Sequence, residues 1–376
     1  MVFDCIVVGA GPAGASAAYH LAKRGRSVVL LEKQTLPRYK ACSGGVSPAV
    51  AQWFDFDFSP AISAKIERIR YTWKLEDPVE AKLTTPEPMW IVRRDTFDHF
   101  LVQQAQKQGA ELRDGTAATG VEFKGDHWQV NTANGPIAGR YLIAADGAEG
   151  PMAQWLGFKQ TPKRMAAVLD TPNAAPDLMA QFEFGMMKNG SIWTFPYADG
   201  YAAAIATFRG GDPSEKDLQN TLKEFAQGLQ RDVAGSQVHL HGIRLWDGDQ
   251  TLHKQNALLA GEAACIADPL TAEGIRPSMF TGVKAAEAID QALAGNADAL
   301  ANYTQIVNSE WGADMVWAQR LAGVFYRVPG IGYKVGVKRP SATERIGQIL
   351  TGQLRYSDVA TRALKRLSGG LIPGLG

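Results

Sequence analysis

Hydrophobic and polar positions along this chain follow two periods, and the change from one to the other predicts where the elements fall. Phe3-Asp4-Cys5-Ile6-Val7-Val8 is a short apolar run rich in β-branched residues, which predicts a strand buried on both faces. It ends in Gly9-Ala10-Gly11-Pro12-Ala13-Gly14; residues 15–24 then read as a helix stopped by Gly25, and 27–31 as a second buried strand. Residues 66–73 and 89–92 read as strands, with Pro78, Pro86 and Pro88 marking turns between them. Phe97, Leu101, Val102 and Ala105 give 94–108 a helical period that stops at Gly109. Strands follow at 116–123 and 128–132, then Asn134-Gly135 reads as a hairpin turn, and Tyr141-Leu142-Ile143-Ala144-Ala145 runs into Asp146-Gly147.

From about 166 to 244 the pattern alternates and turns aromatic, as antiparallel strands do, at 180–184, 191–196 and 201–208. Gly210-Gly211-Asp212-Pro213 breaks it, and Ser214 caps a helix over 215–230. The buried-strand pattern returns at Ala257-Leu258-Leu259-Ala260-Gly261-Glu262, before a long helix over 275–294. The fold class this predicts is α/β. A Rossmann-like nucleotide-binding domain is made of 1–165 and 245–300. An antiparallel-sheet substrate domain, 166–244, is inserted into it, and 301–376 forms a C-terminal helical region.

Composition narrows the classes. A chain of 376 residues exceeds one compact core, so two connected domains are expected. A net charge of +1 gives no reason to expect nucleic acid. No run of eighteen apolar residues suggests a spanning helix, and the glycine-rich turn begins so near Met1 that no signal peptide is expected. Cys5, Cys42 and Cys265 are far apart and lack metal-ligand spacing, so no metal is expected and free thiols fit a cytoplasmic setting. Charge is nevertheless uneven. From Arg320 onward ten cations (Arg320, Arg327, Lys334, Lys338, Arg339, Arg345, Arg355, Arg362, Lys365 and Arg366) face only Glu344 and Asp358. Val324-Phe325-Tyr326, Val328, Ile331, Tyr333 and Leu371-Ile372 are interleaved with them. Such a tail is either a packed helical cap or a surface that rests peripherally on anionic membrane lipid.

The first turn carries the clearest chemistry. Gly9 allows a tight turn, Gly11 lets backbone approach a pyrophosphate, and Gly14 lets helix and strand pack closely. Pro12 and Ala13 complete the turn, and the helix N-terminus offers unsatisfied N–H groups to phosphate. Glu32, eighteen positions after Gly14, ends the second strand where a carboxylate would accept from a ribose, beside Lys33.

Together with Arg94-x-x-Phe97-Asp98, Asp146-Gly147 and Gly261-Glu262, this turn resembles the FAD-dependent oxidoreductases of the para-hydroxybenzoate hydroxylase fold. Within them the chain is similar to the geranylgeranyl reductase family. The likeness is carried by Pro37-Arg38-Tyr39-Lys40-Ala41-Cys42-Ser43-Gly44-Gly45, by residues 260–275 with Pro269-Leu270-Thr271-Ala272-Glu273-Gly274-Ile275, by Trp193-Thr194-Phe195-Pro196, and by Leu350-Thr351-Gly352 through Tyr356. It covers nearly the whole chain. Departures are Glu262 in place of the usual Asp, Ala272 in place of Gly, Gly150 and Ala153 where relatives of the fold carry Ser and Arg, and Ala204-Ile205-Ala206 where Gly-x-Gly often follows.

The resemblance implies a bound FAD. Arg94 would pair with its pyrophosphate, Ala118 would meet the adenine side through backbone, Glu262 would reach the ribityl–phosphate region, and Asp146 and Gly147 would also contact the cofactor. Cys42, Ser43, Gly44, Gly274 and Ile275 would lie near the flavin ring, and Cys42 is the candidate catalytic thiol. Trp193, Phe195, Pro196 and Tyr197 would shape an apolar pocket for an isoprenoid. The implied reaction saturates C=C bonds of a geranylgeranyl or related chain carried on a diphosphate, a lipid or a chlorophyll. No second G-x-G-x-x-G follows, so the electron donor stays open between NADPH and a protein such as ferredoxin. Rival readings are a flavin monooxygenase or halogenase on the same scaffold, or a non-catalytic prenyl-binding escort.

Overall fold

The structure, a computed structural model, describes residues 1–361 except 173–178, 232 and 234–235. Arg362, Lys365, Arg366, Leu371 and Ile372 of the basic tail lie outside the described residues.

The first three elements form the expected βαβ unit: β1 (Val2–Val8), α1 (Pro12–Lys23) and β2 (Val28–Leu31). α1 begins three residues earlier than the sequence pattern suggests. Proline suits the first helical position, where its missing N–H has no partner to lose, so the helix starts inside the glycine-rich turn. β1 lies between two parallel neighbours, Ile137–Ala144 and β2, and the parallel array continues to Ala257–Leu259 on one side and Glu111–Arg113 on the other. Ile6, Val7, Leu30, Leu142 and Ile143 are wholly buried there, which is why these strands read as unbroken apolar runs.

A seven-stranded second sheet runs Gln237–Ile243, Arg164–Pro172, Gly200–Thr207, Gly190–Tyr197, Met179–Phe184, Arg68–Trp73 and Glu76–Lys82. It extends beyond 166–244, because its last two strands come from far earlier in the chain. The single expected strand over 66–73 is in fact divided. Ala64–Ile66 pairs with Met89–Ile91 in a small third sheet, while Arg68–Trp73 joins the second. Pro78 sits inside the strand Glu76–Lys82 rather than in a turn, a position open to proline because this strand is the sheet's edge. The C-terminal region is helical, with Ala313–Phe325 and Pro340–Leu350 separated by short turns.

Early and late parts of the chain meet where α1 packs on the long helix Ile275–Leu293. A Cβ built on Gly282 would stand 2.2 Å from the Ala13 carbonyl oxygen, and one on Gly14 would stand 1.8 Å from the Gly9 carbonyl oxygen. Both positions therefore need glycine for contact distance. Gly282→Val should cost about 3 kcal/mol of unfolding free energy by overpacking this contact, measured by urea denaturation; a loss below about 0.5 kcal/mol would contradict the packing.

Candidate functional site

Two clusters adjoin where Arg94 meets Cys42: a charged end at the glycine-rich turn, and an apolar end between the second sheet, the proline-bracketed loop and the start of the long helix. At the charged end, Glu32 accepts the Ala10 N–H at 3.1 Å and the Gln34 N–H at 3.1 Å, so it braces the turn while retaining free lone pairs. Asp98, fully buried on α2 (Arg94–Lys107), holds two arginines. Arg94, one helical turn before it, donates Nε at 2.7 Å and Nη2 at 2.8 Å to its two oxygens. Arg38 donates Nη1 at 2.7 Å and also lies 3.5 Å from Glu32.

Arg94 is the guanidinium nearest Gly11, whose side-chain space is otherwise open. Its other face meets the Cys42 thiol. Although burial opposes its charge, the Asp98 carboxylate holds its pKa above the ordinary arginine value. A fixed cation beside an exposed helix N-terminus is a place for a pyrophosphate.

Asp146 follows the strand Ile137–Ala144. One of its oxygens accepts the Met152 N–H at 2.9 Å and the other is buried with no partner among the described residues. Burial, only partly offset by that hydrogen bond and by nearby Lys33, pushes its pKa up to about 6. Glu262 is partly buried in a 3-10 turn (Gly261–Ala264) after the strand Ala257–Leu259. Burial raises its pKa, while Lys40 and Arg94 pull it back, so it faces the same cluster. Gly147 has an open side-chain space, and Ala118 begins a half-buried strand (Ala118–Phe123) in the antiparallel extension of the first sheet. The orphaned Asp146 oxygen, the open space over Gly11 and the arginine beside it fit a dinucleotide with a ribitol and two phosphates.

The apolar end is a cavity of about 740 Å³, its open mouth included. Trp193, Phe195 and Phe182 wall it on the second-sheet side, Cys42, Ser43 and Gly45 from the proline-bracketed loop, and Glu273, Gly274 and Ile275 from the start of the long helix. Gly44 fixes the loop's course. It has a φ of +85°, and a Cβ there would stand 2.1 Å from the Val92 carbonyl oxygen. The Trp193 indole N–H donates to Ser43 Oγ at 2.7 Å, tying loop to sheet, and the Gly44 N–H donates to the Cys42 sulfur at 3.4 Å. Strand alternation turns Pro196 to the opposite face, where it borders a smaller polar pocket with Arg70 and Thr194. Tyr197 also lies off the cavity, under the Arg93 guanidinium at 4.8 Å.

Several residues that the sequence reading left without a role belong here. His241 lines the cavity from the strand Gln237–Ile243. Burial and the nearby cations Lys40 and Arg94 lower its pKa to about 3, against the opposing pull of Glu149, so its ring is neutral. A lone histidine in an alternating strand carried no motif to find it. Arg38 was visible only as a letter in the loop. Asp98 was legible as the i+4 partner of Arg94. The loop Asp268–Gly274 is held from the C-terminus: buried Asp268 accepts the Tyr356 hydroxyl at 2.7 Å and the Leu270 N–H at 2.7 Å. Asp314 in turn accepts the Tyr356 and Ser357 N–H groups. Cys265 is buried, as expected for a small hydrophobe. Among the described residues no group of side chains could hold a metal ion.

A family profile described as an FAD binding domain matches residues 3–307. Digeranylgeranylglycerophospholipid reductase 1 of Methanopyrus kandleri is 28% identical over 335 residues, covering 83% of this chain and 86% of that protein. Digeranylgeranylglycerophospholipid reductase of Methanocaldococcus jannaschii is 28% identical over 316 residues, with 78% of each chain covered. Among solved structures, a geranylgeranyl bacteriochlorophyll reductase-like protein from Thermoplasma acidophilum superposes with a TM-score of 0.77 at 22% identity, covering 94% of this chain and 92% of that one. A flavin-dependent brominase superposes at 0.71 with 17% identity, covering 98% and 100%. Both structures share the fold.

Asp146 sets a pH dependence that can be read without substrate. Its folded pKa lies above the unfolded value, so its stabilising contribution is complete below about 4 and is lost as pH rises through about 6. In the FAD-free protein Asp146→Asn should therefore flatten the fall in stability between pH 4 and pH 6, by up to about 3 kcal/mol from two units of pKa. Denaturation series at several pH values measure this, and an unchanged slope would contradict the burial of that carboxyl.

Proposed function

This chain belongs to the FAD-binding domain family, and on that premise we propose that it is a flavin-dependent reductase that saturates C=C bonds of a geranylgeranyl or related isoprenoid chain. The observation that carries the reading is the apolar cavity that begins where the long helix starts and ends among Trp193, Phe195 and Phe182. Its walls suit a hydrocarbon, and the named relatives act on geranylgeranyl lipids. The carrier of the chain is left open between diphosphate, lipid and chlorophyll. No helix among the described residues is long and apolar enough to cross a membrane.

When bound, FAD supplies the hydride. The chain's own groups do the rest. Arg94, braced by Asp98, and the first helix N-terminus would hold the pyrophosphate. Glu32, Asp146 and Glu262 would accept from its sugar and ribitol hydroxyls. The Gly274 end of the long helix opens on the cavity, where its field favours negative charge. Trp193 and Phe195 exclude water and align the alkene. An isolated alkene accepts hydride only if a proton reaches the second carbon, and the Cys42 thiol, fixed by the Gly44 N–H and facing Arg94, stands at the cavity wall to deliver it. The electron donor is either NADPH or a ferredoxin-type protein.

The test is anaerobic. Dithionite-reduced enzyme given geranylgeranyl diphosphate, a geranylgeranylated glycerolipid or geranylgeranyl chlorophyll should add two hydrogens per saturated bond by mass spectrometry. No mass gain on any of them, or turnover only with O₂, would overturn the reading in favour of the oxygenase or halogenase alternative. Purified protein without flavin absorbance would favour the escort. Cys42→Ser should lower turnover by about 100-fold with flavin content unchanged; full activity in that variant would remove Cys42 from the mechanism.

A further inference from the structure

Nine large hydrophobic residues stand exposed among the described residues, and five of them fall within fifteen positions: Leu321 at 38%, Val324 at 68%, Val328 at 42%, Ile331 at 62% and Val335 at 50%. The other four are scattered, at Met1, Val2, Tyr39 and Trp155. Single exposed apolar residues are ordinary, but a cluster calls for a partner. The five span the end of helix Ala313–Phe325, the break in the helix at Val328, the single helical turn Pro329–Gly332 and the π-helical segment Tyr333–Val337. Val328, Ile331 and Lys334 border one shallow groove with Trp73.

The residues between them are committed to the interior. Tyr326 donates its hydroxyl to the Leu270 carbonyl at 3.3 Å, and Tyr333 donates to the Tyr71 carbonyl at 3.1 Å. Phe325 packs edge-on against Phe184 at 5.1 Å. The knuckle is therefore anchored on the second sheet and on the Asp268–Gly274 loop, with its aliphatic side left outward.

Along this segment itself the charge is of one sign, while Asp77 of the second sheet also borders the groove. Between Met315 and Thr343 the chain carries Arg320, Arg327, Lys334, Lys338 and Arg339 and no acid. Lys338 is engaged by Asp77 at 2.6 Å and Arg320 lies over Trp317 at 4.7 Å; Arg327, Lys334 and Arg339 are exposed. We propose that residues 321–335 form a docking knuckle for an anionic lipid bilayer, with Val324, Ile331 and Val335 entering the headgroup boundary and Arg327 and Lys334 meeting lipid phosphates.

Charge and side-chain type select this occupant. A second copy would bring like charges together across a two-fold axis. An acidic protein would answer the cations, but protein interface cores draw on aromatic residues, and here the five exposed large hydrophobics are all aliphatic. Aliphatic residues ringed by lysine and arginine are the pattern that an anionic membrane surface attracts. The proposal does not depend on which double bond is reduced, or on whether any is.

The test uses the full-length, FAD-loaded protein in flotation with extruded vesicles of phosphatidylcholine, with and without about 30 mol% phosphatidylglycerol. The protein should float with the anionic vesicles about tenfold better than with the neutral ones, and added salt should weaken this. The triple variant Val324→Ser, Ile331→Ser, Val335→Ser should lose about tenfold of that binding, with flavin spectrum and melting temperature unchanged. Arg327→Gln with Lys334→Gln should weaken it similarly. Three results would overturn the proposal: no flotation with anionic vesicles, flotation of the triple variant equal to the parent, or a parent dimer in sedimentation velocity that the triple variant dissolves.

Discussion

The close approach of the first helix to the long helix is the constraint on which the site depends. The Ala13 carbonyl lies where any side chain at Gly282 would stand, and the Ala13 methyl lies within 2.8 Å of where one at Gly261 would stand. Those contacts bring residues 9–14 and 261–282, more than two hundred positions apart, into one site. Packing at this density leaves little room for accommodation.

Charge is arranged around that contact with the same economy. Asp98 is wholly buried, and the structure compensates it with two guanidinium groups rather than one. The pair Arg94 and Arg38 then offers fixed positive charge to whatever binds at the turn, and Arg38 links the turn's own carboxylate, Glu32, into the network. Because these side chains are already ordered by one another, little conformational entropy remains to be lost on binding.

The C-terminal region completes the other end. The Tyr356 hydroxyl reaches Asp268, and Asp268 shapes the loop that leads into Gly274 and Ile275. Leu350 joins the cavity wall. A segment that looks like a peripheral cap thus holds the floor of the cavity, while its outer side presents aliphatic and basic residues.

By itself the sequence determined what local physics determines. The βαβ unit, the Glu32 terminus, the Arg94–Asp98 spacing and the alternation of 180–208 all follow from periodicity, glycine placement and helical reach, and the resemblance built on them led to the FAD-binding family. Tertiary structure decided what depends on contacts between distant segments. Strand alternation alone could not say that Phe195 lines the cavity while Tyr197, of the same parity, is covered by Arg93. Nor could it send Arg68–Trp73 across to the second sheet, reveal His241 at the cavity wall, or tell which tail residues turn in and which turn out. A residue's period fixes the face it shares with its neighbours in sequence; only the element packed against that face fixes what the residue can touch.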